Sequence, residues 1–270
     1  LVSNTTAAET TDTNGLTAFG SDGFTLGTDS VYNNSGATYV AWCWKAGGAA
    51  VTNTDGSITS EVSANVDAGF SVVKYTGSAS ATVGHGLSQA PDFIFLKITN
   101  NVQGWATYHS SLGESGYLEI NSTAAVSTIT NYWNGGTVGV PNSNVFGTGP
   151  SSGNGNANGN IIAYCFAEKA GFSKFGSYAG NGSTTGPTVT TDFEPAFVMI
   201  KRTDSTSNWV ILDNKRDTSN PIDKTLSPNL SAAESTANNI DFNATTFQLK
   251  STNADTNANT ATYVYMAFAN

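Results

Sequence analysis

Short apolar runs, rich in β-branched and aromatic side chains, alternate along this chain with stretches of Gly, Asn, Asp, Ser and Thr. Runs of that length bounded by turn formers predict β-strands. In the middle of the chain the predicted strands span 69–75, 93–98, 105–108, 117–120 and 161–166. At its end they span 172–178, 197–202, 209–212, 247–249 and 263–268. Phe93-Ile94-Phe95-Leu96 is apolar at every position, which predicts a central strand covered on both faces. Helix is expected only at the Ala-Ala steps Ala7-Ala8, Ala124-Ala125 and Ala232-Ala233, for about one or two turns.

The pattern recurs. Residues 1–11, 118–128 and 226–236 resemble one another, each opening on Leu and carrying Asn and then Ala-Ala. Each leads through a polar stretch to a similar apolar run: Tyr39-Val40-Ala41-Trp42-Cys43-Trp44, Ile161-Ile162-Ala163-Tyr164-Cys165-Phe166 and Tyr263-Val264-Tyr265-Met266-Ala267-Phe268. Upstream, Gly69-Phe70-Ser71 answers to Gly171-Phe172-Ser173, an offset of about 102 residues (171 − 69), typical of one small domain. Phe93-Ile94-Phe95-Leu96-Lys97 answers to Phe197-Val198-Met199-Ile200-Lys201, Trp105 to Trp209, and His109 to Asp213. Two complete units therefore span 69–168 and 169–270, each large enough for its own core. Residues 1–46 match only the back half of a unit, and 47–68 form a linker. In the linker, polar and apolar positions alternate after the Asp55-Gly56 turn signal, so it is expected to lie extended along a neighbouring unit. A half-unit cannot easily bury its apolar face; its front half is expected from preceding polypeptide or from another chain, and the sequence reads as an internal piece of something longer. The fold class expected is all-β, with tandem β-sandwich repeats of jelly-roll type.

Composition narrows the function. Charged residues make up 11% of the chain, well below the roughly 25% of an average globular domain, and Thr, Ser, Asn and Gly take their place. With 39% hydrophobic residues the composition is not that of a disordered chain. The net charge of −9 disfavours nucleic-acid binding, because phosphate backbones repel such a surface. No apolar run approaches the ~20 residues that a membrane-spanning helix needs, so no membrane insertion is expected. Cys43 and Cys165 occupy one repeat position where the third copy has Ala267; free thiols in a small buried site are expected.

Catalytic chemistry is scarce. The two histidines are His85 and His109; Ser110 and Ser111 beside the latter lack a nucleophile-elbow setting. The carboxylates Glu61, Asp67, Asp92, Glu114 and Glu119, and Asp192, Glu194, Asp204, Asp213 and Asp217, do not repeat as a pair, as glycoside hydrolysis would need. Asn253, Asp255, Asn257 and Asn259 alternate in a polar loop like calcium ligands, but the glycine and terminal glutamate of a calcium loop are absent. No catalytic residue, cofactor or metal is assigned. Tyr132 and Trp133, an aromatic pair without a counterpart in the other copies, are the candidate platform for stacking on a sugar ring if exposed. Trp42 and Trp44 alternate with Cys43, which puts them on one face as candidates for contact with a neighbouring module or subunit.

The phrases Gly69-Phe70-Ser71-Val72-Val73-Lys74-Tyr75-Thr76-Gly77, Val83-Gly84-His85-Gly86-Leu87, Tyr39-Val40-Ala41-Trp42-Cys43-Trp44-Lys45-Ala46-Gly47-Gly48 and Gly171-Phe172-Ser173-Lys174-Phe175-Gly176-Ser177-Tyr178 resemble an uncharacterised repeat family. It occurs in tail-fibre and other virion structural proteins of tailed bacteriophages, notably marine ones. The resemblance implies a virion appendage protein, located on the particle surface or tail, that serves adhesion or host recognition. Its implied partners are other virion subunits and host-surface glycans, and fibres of this kind imply a homo-oligomer, a trimer being favoured. A glycan depolymerase and a ligand-free decoration or spacer protein are the competing readings.

Overall fold

The computed structural model describes residues 1–137, 139, 141–149 and 159–270. The fold is all-β, built of antiparallel sheets, and helix among the described residues is confined to single turns. Residues 1–46 hold little regular structure. Among the described residues β1 (Leu16–Phe19) and β2 (Phe24–Leu26) pair only with each other, and α1 (Ser30–Asn33) is one turn capped by Asp29, whose Oδ1 accepts the Val31 N–H at 2.7 Å. The apolar run 39–44 is extended yet joins no sheet among the described residues.

The linker is part of the next sheet. Its strands β3 (Val51–Asn53) and β4 (Ser60–Asn65) form a hairpin, and the whole of β4 pairs with β5 (Phe70–Thr76), from Asn65 beside Phe70 to Ser60 beside Tyr75. The alternation predicted there holds: Ser60 and Val62 are buried while Glu61 is exposed. Then follow β6 (Ala81–Gly84), β7 (Phe93–Ile98), β8 (Ala106–His109), a 3₁₀ turn at Ser110–Leu112, β9 (Gly116–Glu119), β10 (Ser127–Thr128), β11 (Val145–Thr148) and β12 (Asn160–Phe166). Eight of these strands lie in the order β10-β9-β8-β7-β12-β5-β4-β3, and β6 pairs with β11 as a second layer.

Residues 169–270 supply β13 (Ser173–Ala179), β14 (Thr188–Thr190), β15 (Phe197–Arg202), β16 (Trp209–Asp213), β17 (Ile240–Asn243), β18 (Thr246–Leu249), α2 (Ala254–Asn257) and β19 (Thr262–Phe268). They form a four-stranded sheet, β13-β19-β15-β16, and a three-stranded one, β14-β18-β17. The order β5-β12-β7-β8 of the preceding sheet is thus matched by β13-β19-β15-β16. Leu226 bridges to Ile211 beside β16, at the edge where β9 carries Leu118 beside β8. Gly69 and Gly171 open the two stretches at φ +64° and +75°, a left-handed conformation that glycine adopts without steric cost.

Side-chain alternation along the strands makes three cores. Val73, Ile94, Leu96, Ile161 and Ala163 point to a core closed by β6 and β11. Val198, Ile200, Tyr263 and Tyr265 point to one closed by β14, β17 and β18. The opposite faces of the two large sheets meet in a third core, which takes Phe70, Phe93 and Phe166 from one and Phe197, Met199, Met266 and Phe268 from the other. The both-faces burial expected for 93–96 follows from this arrangement.

Two expectations are corrected. The Ala-Ala segments are not helical; those of 1–9 and 118–126 run as straps across the neighbouring sheet, and their backbone carbonyls bond to it instead of to the next turn. Cys165 is fully buried, and burial pushes its thiol up to about 12, but its counterpart Cys43 is exposed because run 39–44 has no strands beside it.

Candidate functional site

The histidines are structural. In each ring Nδ1 accepts a backbone N–H two residues on, from Leu87 to His85 (3.2 Å) and from Ser111 to His109 (3.1 Å). In each, Nε2–H then donates to a carbonyl, that of Asn142 (3.0 Å) or Tyr265 (3.0 Å). Neither ring keeps a free nitrogen for proton transfer. Burial lowers the pKa of both, that of His109 to about 4, which holds them neutral.

The carboxylates serve turns and loops. Asp92 accepts the Glu168 N–H at 2.8 Å, and burial raises its pKa. Asp213 caps the turn at Lys215 and Arg216, pairs with Arg216 Nε at 2.7 Å and accepts the Trp42 indole N–H at 3.3 Å. Asp217 accepts the N–H groups of Asp223 and Lys224. In the calcium-like stretch Asn253 caps α2, Asp255 holds Ser207 and Asn208, and Asn257 holds Asn181, Ser183 and Ser251. These side chains are spent on the protein itself.

Tyr132 and Trp133 are in the interior, and the expectation of an exposed sugar platform there is corrected. Both are fully buried; Tyr132 stacks on Tyr117 at 4.6 Å, and the Trp133 indole N–H donates to Gly116 O at 3.0 Å. A polar loop can still bury an aromatic pair when its side chains fill the gap left by a two-stranded second layer, as these do beside Phe146. Trp42 and Trp44, the candidates for contact with a neighbouring module or subunit, lie against the third core. Half-buried, they pack edge-on against Phe197, and Trp44 also meets Phe166 and Phe268.

Sequence reading missed the contact that recurs. Lys97 and Lys201 are buried at the ends of equivalent apolar strands, and each ammonium donates to a strap carbonyl, Lys97 to Thr6 O (3.2 Å) and Lys201 to Thr123 O (3.3 Å). The indole N–H groups of Trp105 and Trp209 donate to Val2 O (3.1 Å) and Glu119 O (3.0 Å). Gln103 N–H and Ser207 N–H bond to the same strap carbonyls as the lysines, Thr6 O and Thr123 O. The signal was present: a lysine repeating inside two apolar runs is out of place on a solvent face and needs acceptors in the interior.

Two recesses accompany these contacts. A polar one of about 750 Å³ is lined by Glu9, Glu61, Lys74 and Tyr164 among others. A larger apolar one of about 1230 Å³ lies beside Trp42 and Trp44, between the third core and the hairpin β1-β2.

A family defined as a domain of unknown function, DUF7483, matches residues 1–270. The chain belongs to the DUF7483 family. No curated protein and no solved structure matches it. Among the described residues of this DUF7483 domain, no group of three or more His, Cys, Asp or Glu side chains is placed to hold a metal ion, and no helix is long and apolar enough to cross a membrane.

The buried lysines make the DUF7483 fold pH-sensitive on the alkaline side. Burial lowers the pKa of Lys201 to about 8, against 10.5 for a free lysine. Between those values the unfolded chain binds the extra proton, so stability rises with pH. From pH 7 to pH 9 the gain expected from this group is roughly 1 kcal/mol. Urea titrations at the two pH values check this, and Lys201→Met should show a smaller rise by that amount.

Proposed function

We propose that this DUF7483 domain is a structural module of a bacteriophage virion appendage, whose output is a shaped surface rather than a reaction. One observation carries the reading: the same strap contact, an indole and an ammonium bonded to backbone carbonyls, joins residues 1–9 to the sheet of 69–168 and residues 118–126 to the sheet of 169–270. Serial contacts of one kind are how arrays of similar modules stack. The matching strand orders support tandem β-sandwich units of jelly-roll type over 69–168 and 169–270, with 47–68 as an added hairpin. The consumption of both histidines and of Asp92, Asp213 and Asp217 in structural bonds favours this reading over a depolymerase. The resemblance to tail-fibre and virion repeat proteins supplies the setting, in which the module spaces and presents an adhesive surface among other virion subunits.

Immunogold labelling of particles with antibody to this chain tests the location: label on the tail or surface appendage is expected, and particles without label overturn it. Incubation with host-surface polysaccharide should release no new reducing ends; release would restore the enzyme reading. Binding on a glycan array should separate an adhesive role from a spacer role.

A further inference from the structure

The straps and the central aromatic residues repeat around a common centre. Trp44, Phe166 and Phe268 end the three matching apolar runs, and their rings form a triangle: Trp44–Phe166 5.7 Å, Trp44–Phe268 5.4 Å and Phe166–Phe268 5.9 Å. The contacts between units run in one sense. His109, ending β8, bonds to Tyr265 in the last apolar run; Asp213, ending β16, bonds to Trp42 in the first. The strap of 1–9 crosses the middle sheet and that of 118–126 the last sheet. Continued once more, the strap of 226–234 would cross a sheet built around residues 39–44.

Residues 39–44 are set up for such a sheet. The Tyr39 hydroxyl accepts the Asn34 N–H (2.8 Å) and donates to Ser30 O (3.2 Å), just as the Tyr263 hydroxyl accepts the Ala258 N–H (2.7 Å) and donates to Ala254 O (2.9 Å). Tyr263 lies in β19, which is paired on both edges, by β13 and β15; run 39–44 is paired on neither among the described residues. Apolar exposure concentrates in the same place. Of the twelve large hydrophobic residues that are exposed among the described residues, eight lie in 1–46 (Leu1, Val2, Leu16, Phe19, Phe24, Val31, Tyr32 and Tyr39), with Phe19 at 82%. The apolar recess opens here, walled by Val72, Phe95 and Tyr164 of the middle sheet and Met199, Ile211 and Met266 of the last.

Specific polar groups await partners as well. Asn121 Oδ1 and Asn229 Oδ1 accept the backbone N–H of Trp105 and Trp209; the matching Asn4 makes no such bond among the described residues. Ser227 O and Ser231 O, which match Val2 O with Glu119 O and Thr6 O with Thr123 O, receive no indole and no ammonium among the described residues. Glu9 N–H and Val126 N–H bond to Thr99 O and Thr203 O, whereas the matching Glu234 N–H has no such acceptor among the described residues.

We propose that this recess seats a third module front half, a polypeptide segment patterned like residues 69–117, which closes three sheets into a pseudo-threefold ring. Its first and third strands flank 39–44. Its tryptophan bonds through the backbone N–H to Asn4 and through the indole to Ser227 O, and its lysine bonds to Ser231 O.

The test joins a copy of residues 69–117 ahead of Leu1 and compares that protein with the chain of residues 1–270. Alone, the chain should enhance the fluorescence of a hydrophobic dye and should exchange the amides of 39–44 quickly. In the joined protein the dye signal should be lost and those amides should exchange about 100-fold more slowly or better. Carrying Trp105→Ala and Lys97→Met in the added copy alone should reverse much of that protection. Protected 39–44 amides in the isolated monomer would overturn the proposal, as would a folded joined protein in which they stay fast. Protection arising in a dimer of the unjoined chain would assign the recess to a second copy instead and equally overturn it. The isolated-chain measurement stands even if the joined protein fails to fold.

Discussion

Replacing Trp209 by alanine is expected to cost ~3–5 kcal/mol of stability, read as a lower midpoint of chemical denaturation. The side chain is 1% exposed and sits in the third core, with its ring 6.5 Å from that of Phe93 across the unit boundary. It also ties three pieces of backbone together. Its own N–H donates to Asn229 Oδ1 at 3.0 Å, and its indole donates to Glu119 O at 3.0 Å, where the strap of 118–126 begins to cross the sheet. Alanine removes the packing and the indole bond together. Trp209→Phe separates them, since it keeps most of the apolar volume and loses only the donor. Glu119 O retains the Ser122 N–H at 3.1 Å, so the phenylalanine variant should lose only about 1 kcal/mol. The effect should also be local: amides of 118–126 should gain exchange in Trp209→Phe before those of β15 do. Trp105→Ala is a useful contrast. Its indole holds Val2 O, in a strap whose Leu1 and Val2 are exposed, so the loss should be smaller than at Trp209. Equal losses at the two sites would remove the argument that strap burial sets the value of the contact.

The strands were legible where side chains repeat with a period of two and where two copies of the pattern could be compared. Phe93 to Leu96 read as a central strand because both of its faces are apolar; it and its counterpart Phe197 to Ile200 each lie between two partners with one face in their own core and one in the shared core. The shared core itself was only half legible. Trp42 and Trp44 were recognisable as a contact face, but the meeting of Trp44, Phe166 and Phe268 is a property of three separate runs. The second layers were harder to read. β6, β11, β14 and β17 are short and carry Thr, Gly and Asn, so their apolar residues do not stand out from loop composition. Tyr132 and Trp133 failed for the same reason: flanking polarity marks a loop and does not say which side chains that loop turns inward. The straps failed because Ala-Ala favours helix only when backbone carbonyls have no better donors, and here a buried lysine and an indole supply them.

Acidification from pH 6.5 to pH 4 is expected to remove roughly 3 kcal/mol of stability through His109 alone. The ring is fully buried at the contact between the two large sheets, with Nδ1 held by the Ser111 N–H and Nε2–H held by Tyr265 O. Burial lowers its folded pKa to about 4, while the unfolded chain titrates near 6.5. Within that window the unfolded state binds more protons, so stability falls as pH falls. His85 is shifted in the same direction and adds to the loss. Asp92 opposes it: burial raises its pKa, so the folded state takes that proton more readily and recovers part of the stability below its folded pKa. A difference between two proteins isolates the histidine. His109→Asn places an amide oxygen where Nδ1 accepts the turn N–H, much as Asp213 does at the matching position with Oδ1 toward Lys215 and Arg216. The variant gives up the bond to Tyr265 O, so it should be less stable than the parent at pH 7. Between pH 6.5 and pH 4 it should lose roughly 3 kcal/mol less than the parent does, and the two curves should converge near pH 4. Parallel curves would mean that His109 is already charged in the folded state or that its proton uptake is matched in the unfolded chain. Either result would separate the contact between the sheets from the acid sensitivity of the fold.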